Sequence, residues 1–414
     1  MLSSNLEYDV VIVGAGPAGV ACAIMLAQTH LKVAILDKST FPRDKICGDA
    51  LSLDVINQLS MLSPALAAKF DQFAQKVPSY GVKIIAPAGN DIDIPFINKC
   101  KKDCGYVCTR TDFDNLLVEH LKELQQVELI EACEVKGIER NDNGILIQTN
   151  KGEIKSRFVV GADGAHSVVN RHLGNIEVDK NHYSAGLRMY FDGVSGFHDQ
   201  GYIELYFFKN ILPGYLWVFP LPDGKANVGI GMLSSAVMSK KVNLKKAFRI
   251  LLDEHPKLKA RFEHATALET VKGFGLPLGS KKRKLSGDHF LLTGDAASLI
   301  DPFTGEGIGN AIRSGRVAAM HIEKSFEQQD FSARFNQAYD REIYDRMWKE
   351  LKLSRSLQKL CKYPWLFNFI VKKSNQSRQV HEYLIESLAN INKKKYLVRP
   401  DFLFKLLTRK NGMN

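Results

Sequence analysis

The sequence predicts an α/β protein: a Rossmann-like domain, an inserted antiparallel β-sheet domain and a C-terminal helical region. Three observations predict it. A strand, a glycine turn, a helix and a second strand open the chain; aromatic and β-branched runs broken by Gly, Pro and Asp fill residues 181–284; and from Phe331 onward the pattern is helical with no strand signal. A chain of 414 residues also exceeds the size at which a single core keeps growing, so more than one folding unit is expected.

The elements follow in order. Tyr8 to Val13 and Lys32 to Leu36 are short continuous apolar runs, the mark of strands buried on both faces, and Pro17 to Gln28 reads as the helix between them. Thr111 to Leu124 has helical spacing after a Thr-Asp start, and VELI, ILIQ and RFVVGADG read as strands. SAGLRMYFDG, YIELYFF, YLWVFP and KANVGIGM then predict an antiparallel sheet, before HFLLTGDA and Glu306 to Phe326 restore strand and helix. The expected division is a discontinuous nucleotide-binding domain (1–75, 105–180 and 285–330), a β-rich substrate domain (76–104 and 181–284) and a helical region (331–414).

Composition narrows the class. Hydrophobic residues make up 45% and charged residues 24%, and no run approaches the roughly 20 apolar residues of a membrane-spanning helix. The first strand begins within eight residues, with no basic segment and apolar leader before it, and seven cysteines form no disulfide framework; both suit a cytoplasmic protein. Cys100, Cys104 and Cys108 are spaced by four but lack a fourth ligand, so free thiols are expected and no metal. Of the net charge of +11, +7 falls within residues 371–414, where ten Lys or Arg face three Asp or Glu. With Tyr363, Trp365, Phe367, Phe369, Tyr396, Phe402 and Phe404 interleaved, this tail suits either peripheral contact with anionic lipid or a helical bundle presenting charge to water. A second basic run, Lys281 to Lys284, reads as a solvated turn. No nucleic-acid-binding motif is present.

Gly14, Gly16 and Gly19 form G-x-G-x-x-G between a strand and a helix, with Pro17 and Ala18 inside it. The first glycine turns the chain, the second admits a pyrophosphate and the third permits helix–sheet packing. Asp37, followed by Lys38, stands eighteen residues after Gly19, where a carboxylate takes ribose hydroxyls and disfavours a 2′-phosphate. FAD or NAD is implied. Two further strand-to-helix loops choose FAD: Phe158 to Ser167, through Gly161, Asp163 and Gly164, and Leu291 to Asn310, through Gly294, Asp295, Pro302, Gly305, Gly307, Ile308 and Gly309. Asp295 suits ribityl hydroxyls, and the helix starting near Gly307 would stabilise negative charge on a reduced flavin.

This arrangement, over residues 7 to 330, resembles the para-hydroxybenzoate hydroxylase superfamily, which implies an FAD domain of the glutathione-reductase type covered by a β-rich domain. Within it, FPRDKICGDALS (41–52), GYVCTRTDFDNLL (105–117) and PGYLWVFPLPDGKANVGIG (213–231) resemble the geranylgeranyl reductase family. The resemblance implies that Lys45, Cys47 and Gly48 lie near the flavin, that Arg110 contacts the cofactor, and that an aromatic strand lines the substrate cavity. Tyr215, Trp217 and Phe219 alternate and share one sheet face, with Tyr206 taken as a further cavity residue. Plain core packing is the competing reading for that face. The same choice applies to Cys47, where nearby Lys45 would favour a thiolate. Cys47 and Tyr215 are the catalytic candidates.

Flavin halogenases carry W-x-W-x-I-P, whereas Tyr215 to Pro220 lacks the first Trp and the Ile, so that reading is disfavoured. A second G-x-G-x-x-G unit is missing too, so electrons are expected from transiently docked NAD(P)H or from a small electron-carrier protein. The leading expectation is reduction of carbon–carbon double bonds in a polyprenyl chain held in an apolar, aromatic-walled tunnel. The alternatives are an FAD-dependent aromatic or polyketide monooxygenase, and a non-catalytic flavin-containing lipid-binding or electron-shuttling protein.

Overall fold

The computed structural model describes residues 6–98, 101–102, 104–141 and 144–382. Cys100, Tyr396, Phe402, Phe404 and the lysines of 393–395 lie outside the described residues.

The chain runs β1 (Leu6–Val13), α1 (Pro17–Leu26), β2 (Val33–Leu36), α2 (Leu53–Leu62), a hairpin of β3 (Gly81–Ile85) and β4 (Asp91–Pro95), and α3 (Arg110–Lys122). Then come β5 (Val127–Ile130) and the meander β6 (Val135–Asn141), β7 (Gly144–Thr149) and β8 (Gly152–Gly161). β9 (Tyr183–Asp192), β10 (Ile203–Tyr206), β11 (Gly214–Pro220) and β12 (Ala226–Leu233) precede α4 (Leu244–Glu254) and α5 (Pro256–Phe262). The chain continues with β13 (Lys272–Pro277), β14 (Phe290–Leu292), α6 (Ile308–Gln328), α7 (Ala333–Leu360) and α8 (Pro364–Gln376).

Two large sheets organise these elements. In the first, β5, β2, β1, β8 and β14 are parallel, and β7 and β6 branch off the N-terminal half of β8 as an antiparallel meander. Val10 to Val13 and Val33 to Leu36 are almost fully buried, as their unbroken apolar runs require. α1 lies between this sheet and α6, which is why it is apolar all round rather than amphipathic. The α1–α6 crossing depends on Gly315: a Cβ there would sit 2.1 Å from the Ala18 carbonyl oxygen.

The second sheet runs β9–β12–β11–β10–β3–β4, with β13 on the other side of β9. All its pairings are antiparallel except β10 with β3, which joins the 81–95 hairpin to the later strands. α4 and α5 cover one face, burying Phe248, Leu252 and Leu258 against Leu216, Val218 and Ile230. Residues 234–262, expected within a sheet, are thus largely helical: apolar positions of α4 recur at helical spacing, and the sheet needs a cover.

Element ends also differ. The last nucleotide-loop helix begins at Ile308, not Glu306, because Gly305 (φ 74°) is left-handed and Gly307 is the N-cap. α8 packs on the hairpin, where Ile92, Ile94 and Val371 share a small core and Asn375 donates to the Asp91 carbonyl at 2.8 Å. No described helix is long and apolar enough to cross a membrane.

Candidate active site

The dinucleotide loop forms because its glycines leave room. Gly14 is left-handed (φ 101°), and a Cβ there would meet the Ala162 carbonyl oxygen at 2.5 Å; one on Gly19 would meet the Gly14 carbonyl oxygen at 1.9 Å. At Gly16 the space is open, and the nearest group is the Arg43 guanidinium, 3.7 Å from where a Cβ would stand. α1 has no side-chain cap and no acidic residue in its first turn, so its free N–H groups and Arg43 face the same space. That cradle fits a pyrophosphate. Asp37 closes its far side: Oδ2 accepts from Ala15 N and Oδ1 from Ser39 N, both at 2.9 Å, leaving lone pairs for ribose hydroxyls. Lys38 is exposed beside it.

The second loop holds its shape through Asp163, whose Oδ2 accepts from Val168 N at 2.6 Å while Oδ1 is buried with no partner among the described residues. Burial pushes this carboxyl above its usual range. Gly164 (φ 79°) leaves open space beside it. The orphaned oxygen fits a groove that a polar ligand completes.

In the third loop Gly294 (φ 56°) presses on Ala18 and Ala311, bringing Asp295 to the groove. Asp295 Oδ2 pairs with Lys45 at 3.3 Å from the opposite wall, and its Oδ1 faces Gly307 at the start of α6. Pro302 is buried and its carbonyl accepts from Gln358 of α7 at 2.6 Å. Asp301 Oδ1 accepts from Phe303 N and Thr304 N, both at 2.8 Å, and the Tyr215 hydroxyl donates to the Thr304 carbonyl. The flavin loop is therefore tied to the C-terminal helices on one side and to the second sheet on the other. Ile308 is buried in the first turn of α6. Glu306, bonded by the Ser52 hydroxyl, is pushed up to about 7 chiefly by burial, with Asp54 and Asp301 adding to it.

Cys47 and Gly48 lie against the aromatic strand. A Cβ on Gly48 would come 3.1 Å from Phe219 and 3.6 Å from the Trp217 indole nitrogen. Trp217 and Phe219 are only 5% and 6% exposed, packed with Val107, whereas Tyr215 is more open. The face is thus core at Trp217 and Phe219 and accessible at Tyr215. Tyr206 belongs elsewhere: it pairs with Leu216, so it points to the opposite face, and its hydroxyl donates to Glu204 at 2.7 Å in the core under α5. The period of two that joined Tyr215 to Trp217 carries no information across strands, and register reverses the expectation for Tyr206. Two cavities, about 560 and 610 Å³, lie at the polar loops of 165–180 and 281–284, the first reaching Asp295, Ala296 and Ser298 of the third loop.

The cation beside Cys47 is Arg110, not Lys45, which reaches Asp295 instead. Arg110 forms a bidentate pair with Asp114, Nε and Nη2 each at 2.7 Å, and Arg43 adds a third bond to that carboxylate at 2.9 Å. Burial opposes charge on both partners, yet the pairing holds Asp114 below and Arg110 above their usual ranges, with Cys47 adding to the charge that favours Arg110. Arg43 and Asp114 escaped sequence reasoning, although Arg110 and Asp114 stand at i and i+4 of a helix, a readable pair. Asp49, Tyr190 and Asn227 had no local signal.

Fold and site together define an FAD-dependent oxidoreductase built on one dinucleotide-binding fold. Residues 7–349 match the FAD binding domain family. The chain is 30% identical over 346 residues to the digeranylgeranylglycerophospholipid reductase of Thermoplasma acidophilum, covering 82% of this chain and 84% of that protein. It is 29% identical over 323 residues to the menaquinone reductase of Mycolicibacterium smegmatis, 76% of each. The fold is shared with a geranylgeranyl bacteriochlorophyll reductase-like protein of Thermoplasma acidophilum (TM-score 0.78, 24% identity, 98% and 99% of the chains). It is shared also with the FAD complex of the halogenase PltM (TM-score 0.72, 18% identity, 94% and 85%). The chain belongs to the geranylgeranyl reductase family of FAD-binding proteins.

Proposed function

We propose that this protein reduces carbon–carbon double bonds in the polyprenyl chain of a membrane lipid or quinone. The observation that carries the proposal is the meeting of Cys47–Gly48, Arg110 and the aromatic strand beside a flavin loop tied down by Tyr215. The relatives named for digeranylgeranylglycerophospholipid and menaquinone support the substrate class.

In this reading residues 1–75, 105–180 and 285–330 hold FAD, residues 76–104 and 181–284 cover the substrate, and the helices from 331 brace the flavin loop. FAD bound there and reduced by the electron donor would supply a hydride to the double bond. The protein's own groups do the rest. The α1 N-terminus and Arg43 hold the pyrophosphate, Asp37 the ribose, and Asp295 with Lys45 the ribityl chain. Cys47 and Tyr215 would border the reacting bond; the Tyr215 phenol stays protonated and is held on the Thr304 carbonyl, from which it would turn to give the proton that completes the reduction. Apolar packing of Trp217 and Phe219 excludes water from that side. Electrons arrive from docked NAD(P)H or a small carrier protein, and the enzyme works in the cytoplasm with reversible contact to anionic membrane.

Mass spectrometry of lipids and quinones from cells with and without the protein tests the reading: species carrying two more hydrogens per saturated bond should vanish in its absence. Identical profiles, together with oxygen consumption stoichiometric with an aromatic product, would replace it with the monooxygenase reading.

A further inference from the structure

Asp49 follows Cys47–Gly48 directly, in the left-handed region (φ 66°), and is 0% exposed. Its Oδ2 accepts from the Tyr190 hydroxyl at 2.6 Å and from Asn227 Nδ2 at 2.8 Å. Its Oδ1 is buried with no partner among the described residues. Asn227, also fully buried, uses its remaining capacity on both sides of the site: Nδ2 donates to the Cys47 carbonyl at 2.8 Å, and Oδ1 accepts from Trp217 Nε1 at 2.8 Å. One carboxyl therefore couples the backbone of Cys47 to the aromatic strand through a single amide.

We propose that Asp49 is a positioning residue of the reductase, holding Cys47 and Gly48 against Trp217 through Asn227. A burial this complete is costly for a carboxylate unless something is gained by it, and neither the dinucleotide loops nor the sheet ladder uses this side chain. The groups facing it are Tyr190 and Arg188 from β9, Asn227 from β12, Arg110 from α3 and Cys108 before α3. Burial pushes Asp49 up to about 6, against the hydrogen bonds of Tyr190 and Asn227 and the charges of Arg188 and Arg110. Below that pH the carboxyl gains a proton, and Oδ1 is the oxygen free to take it, since Oδ2 already accepts two bonds. A protonated carboxyl is a weaker acceptor, so the clamp on Asn227 loosens in acid.

The proposal rests on the reductase reading only for its turnover arm. In holoenzyme, the visible spectrum of bound FAD, which needs no substrate, should titrate with a midpoint near 6, and kcat should fall through the same range with KM unchanged. Asp49→Asn should keep its FAD, lose that titration and lower kcat by about tenfold, on the order of one hydrogen bond to a charged group. Tyr190→Phe, which removes one donor and keeps the ring, should move the spectral midpoint to higher pH, and it decides the matter if Asp49→Asn does not fold. A midpoint unmoved in Tyr190→Phe, or an Asp49→Asn protein with the wild-type titration, would overturn the proposal whether or not polyprenyl substrates are reduced.

Discussion

In the proposed site, Asp295 would serve cofactor binding and Cys47 the chemistry. Asp295 faces both Lys45 and the start of α6 across the groove, so Asp295→Ala removes a charged acceptor and leaves Lys45 unpaired. A hydrogen bond to a charged group is worth about 1.5–3 kcal/mol, so FAD affinity should fall roughly 10- to 100-fold and the purified protein should lose its yellow colour. Full flavin occupancy would place the ribityl contact elsewhere. Cys47 lies against Arg110 and the aromatic strand rather than in a phosphate loop, so Cys47→Ser should keep its FAD and lose turnover. Wild-type kcat in that variant would return Cys47 to packing. Glu306 illustrates a pH effect. Its folded pKa, about 7, lies above the ordinary value of 4.5, so the stability it contributes is fully present below 4.5 and lost as pH rises through 7. Glu306→Gln should therefore melt above the wild type at about pH 8 and show little difference at about pH 4, as read by thermal unfolding.

At the scale of elements, the close crossing of α1 and α6 sets where the two glycine loops meet. Gly315 permits it, and Gly294 lets the third loop reach Ala18. In Gly315→Ala the added methyl meets backbone rather than a yielding side chain; overpacking of this kind costs about 1–3 kcal/mol. The unfolding temperature of Gly315→Ala should be lowered and FAD retention on gel filtration reduced, since the start of α6, proposed to face the flavin, would be displaced. Unchanged FAD content would show that the crossing has slack. The second sheet makes a related point about register. β11 was readable as one face of alternating aromatics, but which face of β10 joins it depends on the pairing of Leu205 with Trp217 and of Tyr206 with Leu216.

Over the whole molecule, charge and shape divide along the chain. Tyr363 and Trp365, at the start of α8, are 54% and 65% exposed, beside a basic tail whose last residues lie outside those described. Each Lys or Arg near an anionic surface is worth about 1 kcal/mol, so several acting with partly inserted aromatics would give reversible docking. The protein should sediment with anionic vesicles at low salt and be released as ionic strength rises, and changing Lys393, Lys394 and Lys395 to Gln should weaken binding. Equal sedimentation with neutral vesicles would leave the tail a structural element.

The cofactor class was legible in the sequence because its determinants are local. Gly14, Gly16, Gly19, Asp37, Gly294 and Asp295 act through turn geometry and strand ends that a few neighbouring residues dictate. The helical C-terminal region and the antiparallel insertion were legible for the same reason: hydrophobic period is a short-range property. What required the tertiary structure was every contact made across sheets. That Arg110 rather than Lys45 lies beside Cys47, that Tyr206 turns away from Tyr215, and that Asp49 and Asn227 bind the Cys47 backbone to Trp217 are decided by register and by how the two large sheets are brought together. Residues about 180 positions apart in the chain meet there, and no local pattern records which partners a buried polar group will find.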